Sequence, residues 1–191
     1  NLVVAATGTG KTLIAAFDYK NQCAAQNPRP KLLFLVHRKE ILHQAIGTFR
    51  QVLQDANFGE LLVDGATPSN HDYLFCSVSS FHSKQLSQQH PADYWNIVIL
   101  DEAHHGEAAS YRSIFTDLKP RVLLGLTATP ERTDGVSIAK DFDQPLAGEI
   151  RLPEALEQKL LCPFHYYAVS DLADFTSIKW SRGRYDNNEL E

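Results

Sequence analysis

Leu2-Val3-Val4-Ala5-Ala6-Thr7-Gly8-Thr9-Gly10-Lys11-Thr12 opens the chain. It reads as an apolar strand, a glycine-punctuated turn and the start of a helix, and that order decides how the rest is read. Gly8 and Gly10 free the backbone to curl until successive N–H groups face one centre. A helix starting at Lys11 adds the positive end of its dipole at the same point. Lys11 supplies a charge suited to the outer phosphates of a nucleotide, and the Thr12 hydroxyl is a hard oxygen ligand suited to Mg²⁺. The segment is therefore expected to cradle phosphate through Thr7, Gly8, Thr9, Gly10, Lys11 and Thr12. Ala5 stands at the first glycine of the general G-x-x-x-x-G-K-[ST] pattern, and the turn does not depend on it.

Outward from this turn, strand and helix signals alternate. Residues 11–26 place Leu13, Ile14, Phe17 and Ala24 on one face of a predicted helix. Asn27-Pro28-Arg29-Pro30 ends it. Residues 31–36 are apolar after Lys31, the pattern of a strand buried on both faces. Ile41, Leu42, Ala45, Ile46, Phe49, Val52 and Leu53 again have helical spacing. Apolar runs at 73–78, 96–100 and 121–126 predict further strands, with a helix over 108–118 between the last two. Such alternation implies right-handed crossovers and a parallel sheet. After Pro130 the pattern weakens to a helix over 153–161 and a strand over 164–169.

Two further stretches carry chemistry. The run 96–100 leads straight into Asp101-Glu102-Ala103-His104-His105. Two adjacent acids at a strand's carboxyl end are costly unless a cation is near, and Mg²⁺ on a triphosphate provides one. Asp101 is expected to hold the metal, together with Thr12. Glu102 is then free to orient and deprotonate an attacking water. A zinc site built on His104 and His105 fits poorly, because no third Cys or His lies close in sequence. The run 121–126 similarly delivers Thr127-Ala128-Thr129-Pro130 to the same edge of the sheet.

With A-x-x-G-x-G-K-T, D-E-A-H and T-A-T-P in this order, the chain resembles the first motor domain of superfamily 2 helicases and translocases of the DEAD/DEAH-box kind. Leu35-Val36-His37-Arg38-Lys39-Glu40-Ile41-Leu42-His43-Gln44 and Leu126-Thr127-Ala128-Thr129-Pro130-Glu131-Arg132-Thr133-Asp134-Gly135 look like the group of restriction-enzyme motor subunits and XPB-like and UvrB-like repair helicases. The resemblance implies an α/β, RecA-like P-loop NTPase domain with a mainly parallel sheet and helices on both faces. It implies ATP and Mg²⁺ as cofactors, with Lys11, Asp101, Glu102 and His104 in catalysis. His104 would link the ATP site to Thr127 and Thr129, which couple hydrolysis to movement. His37, Arg38 and Ser77 would touch the nucleic-acid backbone, with Ser79 standing where relatives usually carry Gln. The implied partners are nucleic acid, DNA ahead of RNA, and a second RecA-like domain in the same polypeptide.

The remaining composition sets limits. The net charge of −5 and pI of about 5.9 argue against binding nucleic acid by bulk charge. Locally, Arg29, Lys31, Arg38, Lys39 and Arg50 face a single acid, Glu40, and are expected to form a modest basic patch. Three distant cysteines exclude a disulfide framework and point to a reducing, cytoplasmic setting. No apolar run is long enough to span a membrane. Residues 1–169 read as the ATP-binding domain and 170–191 as a linker toward the second one. Arg182-Gly183-Arg184 lacks the Gln and the spacing of an arginine-finger motif. An ATPase acting on protein, and a nucleotide switch that does not hydrolyse, remain open alternatives; the acid pair argues against the switch.

Overall fold

The computed structural model describes residues 1–63, 67–103, 109–131, 138–142, 146–167, 180–181 and 184–185. Residues 1–161 form one compact unit and residues 162–191 another. The described strands of the first unit are β1 (Leu2–Ala5), β2 (Leu32–Val36), β3 (Glu60–Leu62), β4 (Tyr73–Ser77), β5 (Ile97–Asp101), β6 (Val122–Thr127) and β7 (Leu146–Ile150). They make one sheet in the order β3-β4-β2-β5-β6-β1-β7, with every neighbouring pair parallel. The connecting helices are α1 (Lys11–Ala24), α2 (Glu40–Leu53), α3 (Val78–Ser83), α4 (Leu86–Gln89), α5 (Ala109–Asp117) and α6 (Leu152–Glu157).

The central strands are apolar throughout because both of their faces are covered. All five residues of β2 are buried. Leu33 and Leu35 join Val98, Leu100, Phe81, Trp95, Tyr111 and Ile114 in one core layer. Leu32, Phe34 and Val36 join Ile97, Ile99, Leu126, Tyr19, Leu42 and Phe49 in the other. A period of two thus divides each strand between two layers. Each fully buried side chain of this size stabilises the fold by roughly 1.5–3 kcal/mol. Helices therefore lie on both faces, α1 and α2 on one, α3 and α5 on the other.

On α2, Leu42, Ala45, Ile46, Phe49 and Val52 are buried as their spacing predicts. On α1 the expectation is reversed. Leu13, Ile14 and Phe17 are 46%, 45% and 50% exposed, and Ala24 is exposed too. The buried face is Lys11, Ala15, Ala16 and Tyr19. Two alanines let the helix lie close against the sheet, and Tyr19 satisfies its hydroxyl by donating to the Pro30 carbonyl at 2.7 Å. Small residues, not the bulkiest ones, mark the packed side here.

The edge strands β3 and β7 leave no clear apolar run. β3 is three residues long, and β7 is exposed along its middle, as edge strands commonly are. The expected basic patch is also divided. Arg29 and Lys31 lie before β2, at the amino edge of the sheet, paired with Asp55 and Asp72. Arg50 donates to the carbonyls of Phe58 and Gly59. Of the five basic residues, Arg38 and Lys39 alone follow β2 at its carboxyl edge, because a helix and a strand separate sequence neighbours by their whole length.

In the second unit, β8 (Trp180–Ser181) and β9 (Arg184–Tyr185) pair antiparallel. Where a strand was expected over 164–169, residues 164–167 have no strand pairing, and 168 and 169 lie outside the described residues. Phe164, Tyr166 and Tyr167, which suggested it, stay 60%, 84% and 83% exposed with no described strand beside them.

Gly125, in β6, gives a direct stability test. A Cβ there would lie 2.5 Å from Phe142 Cζ and 2.8 Å from Leu2 Cδ1. Gly125→Ala is expected to cost about 1–3 kcal/mol by overpacking. Thermal denaturation should show a drop of several degrees. An unchanged midpoint would mean that the Phe142 ring moves aside without cost.

Candidate nucleotide and nucleic-acid site

Because all seven strands run the same way, their carboxyl ends meet along one edge, where ligands bind in open α/β sheets. β1 ends there in the glycine turn, β2 in His37-Arg38, β4 in Ser77, β5 in Asp101 and β6 in Thr127. β6 lies between β1 and β5, with Val4 beside Thr127 and Asp101 beside Leu126. Residues far apart in the chain are neighbours here through strand order alone.

The glycine turn has the predicted geometry. Gly8 and Gly10 both have φ 89°, a conformation that side chains disfavour. Gly8 is further hemmed in, since a Cβ would sit 3.3 Å from Leu161 Cδ2. Gly10 caps α1 without any side-chain hydrogen bond. The first-turn amides of the helix thus keep their capacity to donate to an anion. Thr9 Oγ1 and the Thr9 N–H both donate to the Ala6 carbonyl, at 2.7 and 3.2 Å, and fasten the turn. Lys11 is buried, and its Nζ donates to the Ala5 carbonyl at 3.1 Å. The ammonium is therefore held within the loop.

Asp101 is 4% exposed and accepts the Glu102 N–H on Oδ1 at 2.9 Å. Glu102 has φ 54°, a left-handed backbone that costs a non-glycine residue about 1 kcal/mol or more. This kink follows β5, which ends at Asp101. Gly8, Gly10, Lys11, Thr12, Asp101 and Glu102 line one cleft of about 410 Å³. Thr12 and Asp101, the expected metal ligands, thus share a wall, and their hydroxyl and carboxylate are the hard oxygens that Mg²⁺ takes. The opposite wall was not foreseen. It is a stripe of α2, Ile41 followed by the polar Gln44, Thr48 and Gln51. Their i, i+3, i+7, i+10 spacing was visible in the sequence, but nothing there says that α2 leans on the glycine turn.

Thr127 is fully buried, and its Oγ1 both accepts the Thr129 N–H at 3.1 Å and donates to the Thr129 carbonyl at 3.0 Å. The two threonines are thereby locked into one turn beside Asp101. Glu131 follows them and is held by the Arg151 guanidinium at 2.6 and 3.0 Å, which keeps its carboxyl below the usual range. His104 lies outside the described residues, as do 132–135.

A second cleft opens on the same edge, between the ends of β2 and β4. His37, Arg38, Lys39 and Ser77 line it, with Ser79 and Ser80. The three residues expected at nucleic acid therefore come together. Ser77 Oγ lies 2.9 Å from both Ser79 Oγ and Ser80 Oγ and accepts the Ser80 N–H at 3.0 Å, capping α3. Ser80 is an addition to the expected set. It stands three residues after the Ser77 cap, whose Oγ takes its backbone N–H, and the sequence signal was the cap residue Ser77 alone.

This geometry agrees with what the chain is similar to. The family model described as type III restriction enzyme, res subunit, matches residues 1–132. The EcoAI type I restriction enzyme endonuclease subunit of Escherichia coli is 28% identical over 98% of this chain and 24% of its own length. Two solved structures share the fold. One is a nuclease-deletion mutant of the type ISP restriction-modification enzyme LlaGI with a DNA substrate mimic, with TM-score 0.61 and 17% identity over 84% of this chain and 18% of that one. The other is the Hef helicase domain of Pyrococcus furiosus, with TM-score 0.62 and 18% identity over 82% of this chain and 36% of that one. The chain spans between 24% and 36% of the length of the curated relatives it matches. Among the described residues no helix is long and apolar enough to cross a membrane. With the family model matching more than half of its length, the chain belongs to the type III restriction enzyme res-subunit family, as a first RecA-like domain of the superfamily 2 helicases.

Proposed function

We propose that this chain is the ATP-binding half of an ATP-dependent nucleic-acid motor, a helicase or translocase. ATP is hydrolysed to ADP and phosphate when residues 1–169 pair with a second RecA-like domain, with 170–191 as the linker toward it. The observation that carries the reading is the convergence of the glycine turn and the Asp101–Glu102 pair on one cleft. The LlaGI structure with a DNA substrate mimic and the restriction-enzyme relative support DNA over RNA as the track. Free thiols at Cys23, Cys76 and Cys162 support a reducing, cytoplasmic setting.

In this reading the amides of residues 8–12 bind the phosphates, and Lys11 Nζ exchanges the Ala5 carbonyl for phosphate oxygens. Thr12 and Asp101 would hold Mg²⁺, which when bound neutralises charge on the phosphates. Glu102 orients the attacking water and takes its proton. Thr127 and Thr129, set beside Asp101, pass the state of the site to the sheet edge. His37, Arg38 and Ser77 hold the phosphate backbone of the track, which positions it without reading sequence.

The test is Lys11→Ala. Its charge would meet phosphate and, among the described residues, pairs with no acid, its Nζ donating to the Ala5 carbonyl, so the variant should remain folded. Calorimetric titration should show ATP affinity reduced by roughly 10²-fold, the loss of a charge-assisted contact in a buried site. A folded variant with unchanged affinity would remove the phosphate-loop assignment and the reading with it.

A further inference from the structure

Arg151 lies where β7 gives way to α6. Its guanidinium grips Glu131 through two parallel bonds, Nη2 to Oε1 at 2.6 Å and Nη1 to Oε2 at 3.0 Å. Its Nε donates to Glu149, so all three nitrogens of the fork are engaged. Glu131 follows Pro130 and thus lies two residues beyond Thr129, whose turn Thr127 closes. In the other direction along the chain, Arg151 follows Ile150. Ile150 pairs with Ala5 in the sheet, and its carbonyl accepts the Ala6 N–H at 3.0 Å. The Ala5 carbonyl in turn accepts Lys11 Nζ. Beyond α6 the segment returns to the same turn, where Leu161 Cδ2 lies 3.3 Å from the position a Cβ on Gly8 would take. One stretch of chain, 150–161, thus holds both the glycine turn at the end of β1 and, through Glu131, the threonine turn at the end of β6. Every link from Lys11 to Thr127 by this route is a covalent neighbour or a hydrogen bond. The ion pair is half-exposed, with side chains 41% and 52% accessible, so it adds little to stability. A bidentate pair supplies orientation instead, because the planar fork fits a carboxylate in one way.

We propose that Arg151 is a positioning residue of the nucleotide site: by clamping Glu131 it holds the Thr127–Thr129 turn at a fixed offset from the glycine turn, so that a shift at either turn is transmitted to the other. This rests on the nucleotide reading above and names the device that joins its two turns. Arg151 acts through Glu131, not on nucleotide or metal. Coupling of this kind needs a contiguous chain of contacts, and its proof is an energetic interaction between the linked residues.

The experiment is a double-mutant cycle of Arg151→Gln, Glu131→Gln and the two together, made in the protein with both RecA-like domains, beside Lys11→Ala. Without nucleotide, each cycle variant should melt within about two degrees of its parent, as loss of an exposed ion pair implies. Each single variant should lose about three- to fivefold in kcat for ATP, the upper range for such a pair, with KM little changed. The double variant should be no slower than either single one, because both changes remove the same link. Unchanged kcat in the single variants would overturn the proposal, and so would losses that multiply in the double variant. A midpoint lowered by several degrees without nucleotide would make the pair structural and overturn it too. Lys11→Ala separates the two levels. If that variant loses ATP while the cycle variants turn over normally, the role of Arg151 fails and the nucleotide site stands. If Lys11→Ala still binds ATP, the nucleotide reading itself fails.

Discussion

Glu102→Gln is expected to slow ATP hydrolysis by about 10²–10⁴-fold, the usual contribution of a general base. The change preserves the shape of the side chain and removes its ability to take a proton. Binding should survive, because in the proposed reading the phosphates are held from the glycine turn and the metal by Thr12 and Asp101. The backbone of Glu102 is already fixed at φ 54° by the end of β5. Gln meets the same backbone cost, so the variant should fold as well as its parent. Phosphate release at steady state, in the protein that carries both RecA-like domains, gives the rate, and titration with ATP gives the affinity. A variant that binds and hydrolyses at near-normal rates would take Glu102 out of the mechanism. A variant that no longer binds would place the residue in nucleotide recognition instead.

The 191-residue chain assayed by itself should bind ATP weakly and hydrolyse it about 10³–10⁵-fold more slowly than the two-domain protein. That factor is what an arginine finger supplied from a second body contributes to phosphoryl transfer. The cleft formed by the glycine turn, the acid pair and the α2 stripe is open on its outer side, so a bound triphosphate would face solvent there and the charges around it would be screened. Single-stranded DNA should add little, because in the proposed reading His37, Arg38 and Ser77 would supply one side of the track, and the number of phosphate contacts sets affinity. A phosphate-release assay with and without DNA checks both points. Robust, DNA-stimulated turnover by residues 1–191 alone would abandon the two-domain motor as the working unit.

Local sequence determined the chemistry of this protein. Gly8, Gly10 and Lys11 dictate their turn because glycine alone enters φ 89° without strain, and the apolar runs into Asp101 and Thr127 dictate strands that deliver polar residues at their ends. The periodicity of α2 gave its buried face for the same reason: one side of that helix is apolar. Tertiary structure decided the rest. It chose Ala15 and Ala16 over Leu13, Ile14 and Phe17 as the packed side of α1, since closeness of backbone to sheet outweighs the size of a side chain. It split the basic run, sending Arg29 and Lys31 to one edge of the sheet and Arg38 and Lys39 to the other. It also set β6 between β1 and β5 and made α2 a wall of the cleft that the glycine turn and the acid pair share. Turn geometry and strand character depend on residues within a few positions of each other, and one sequence read locally contains them. Strand order and helix packing depend on which distant surfaces bury each other best, and that balance is settled only when the whole chain is folded.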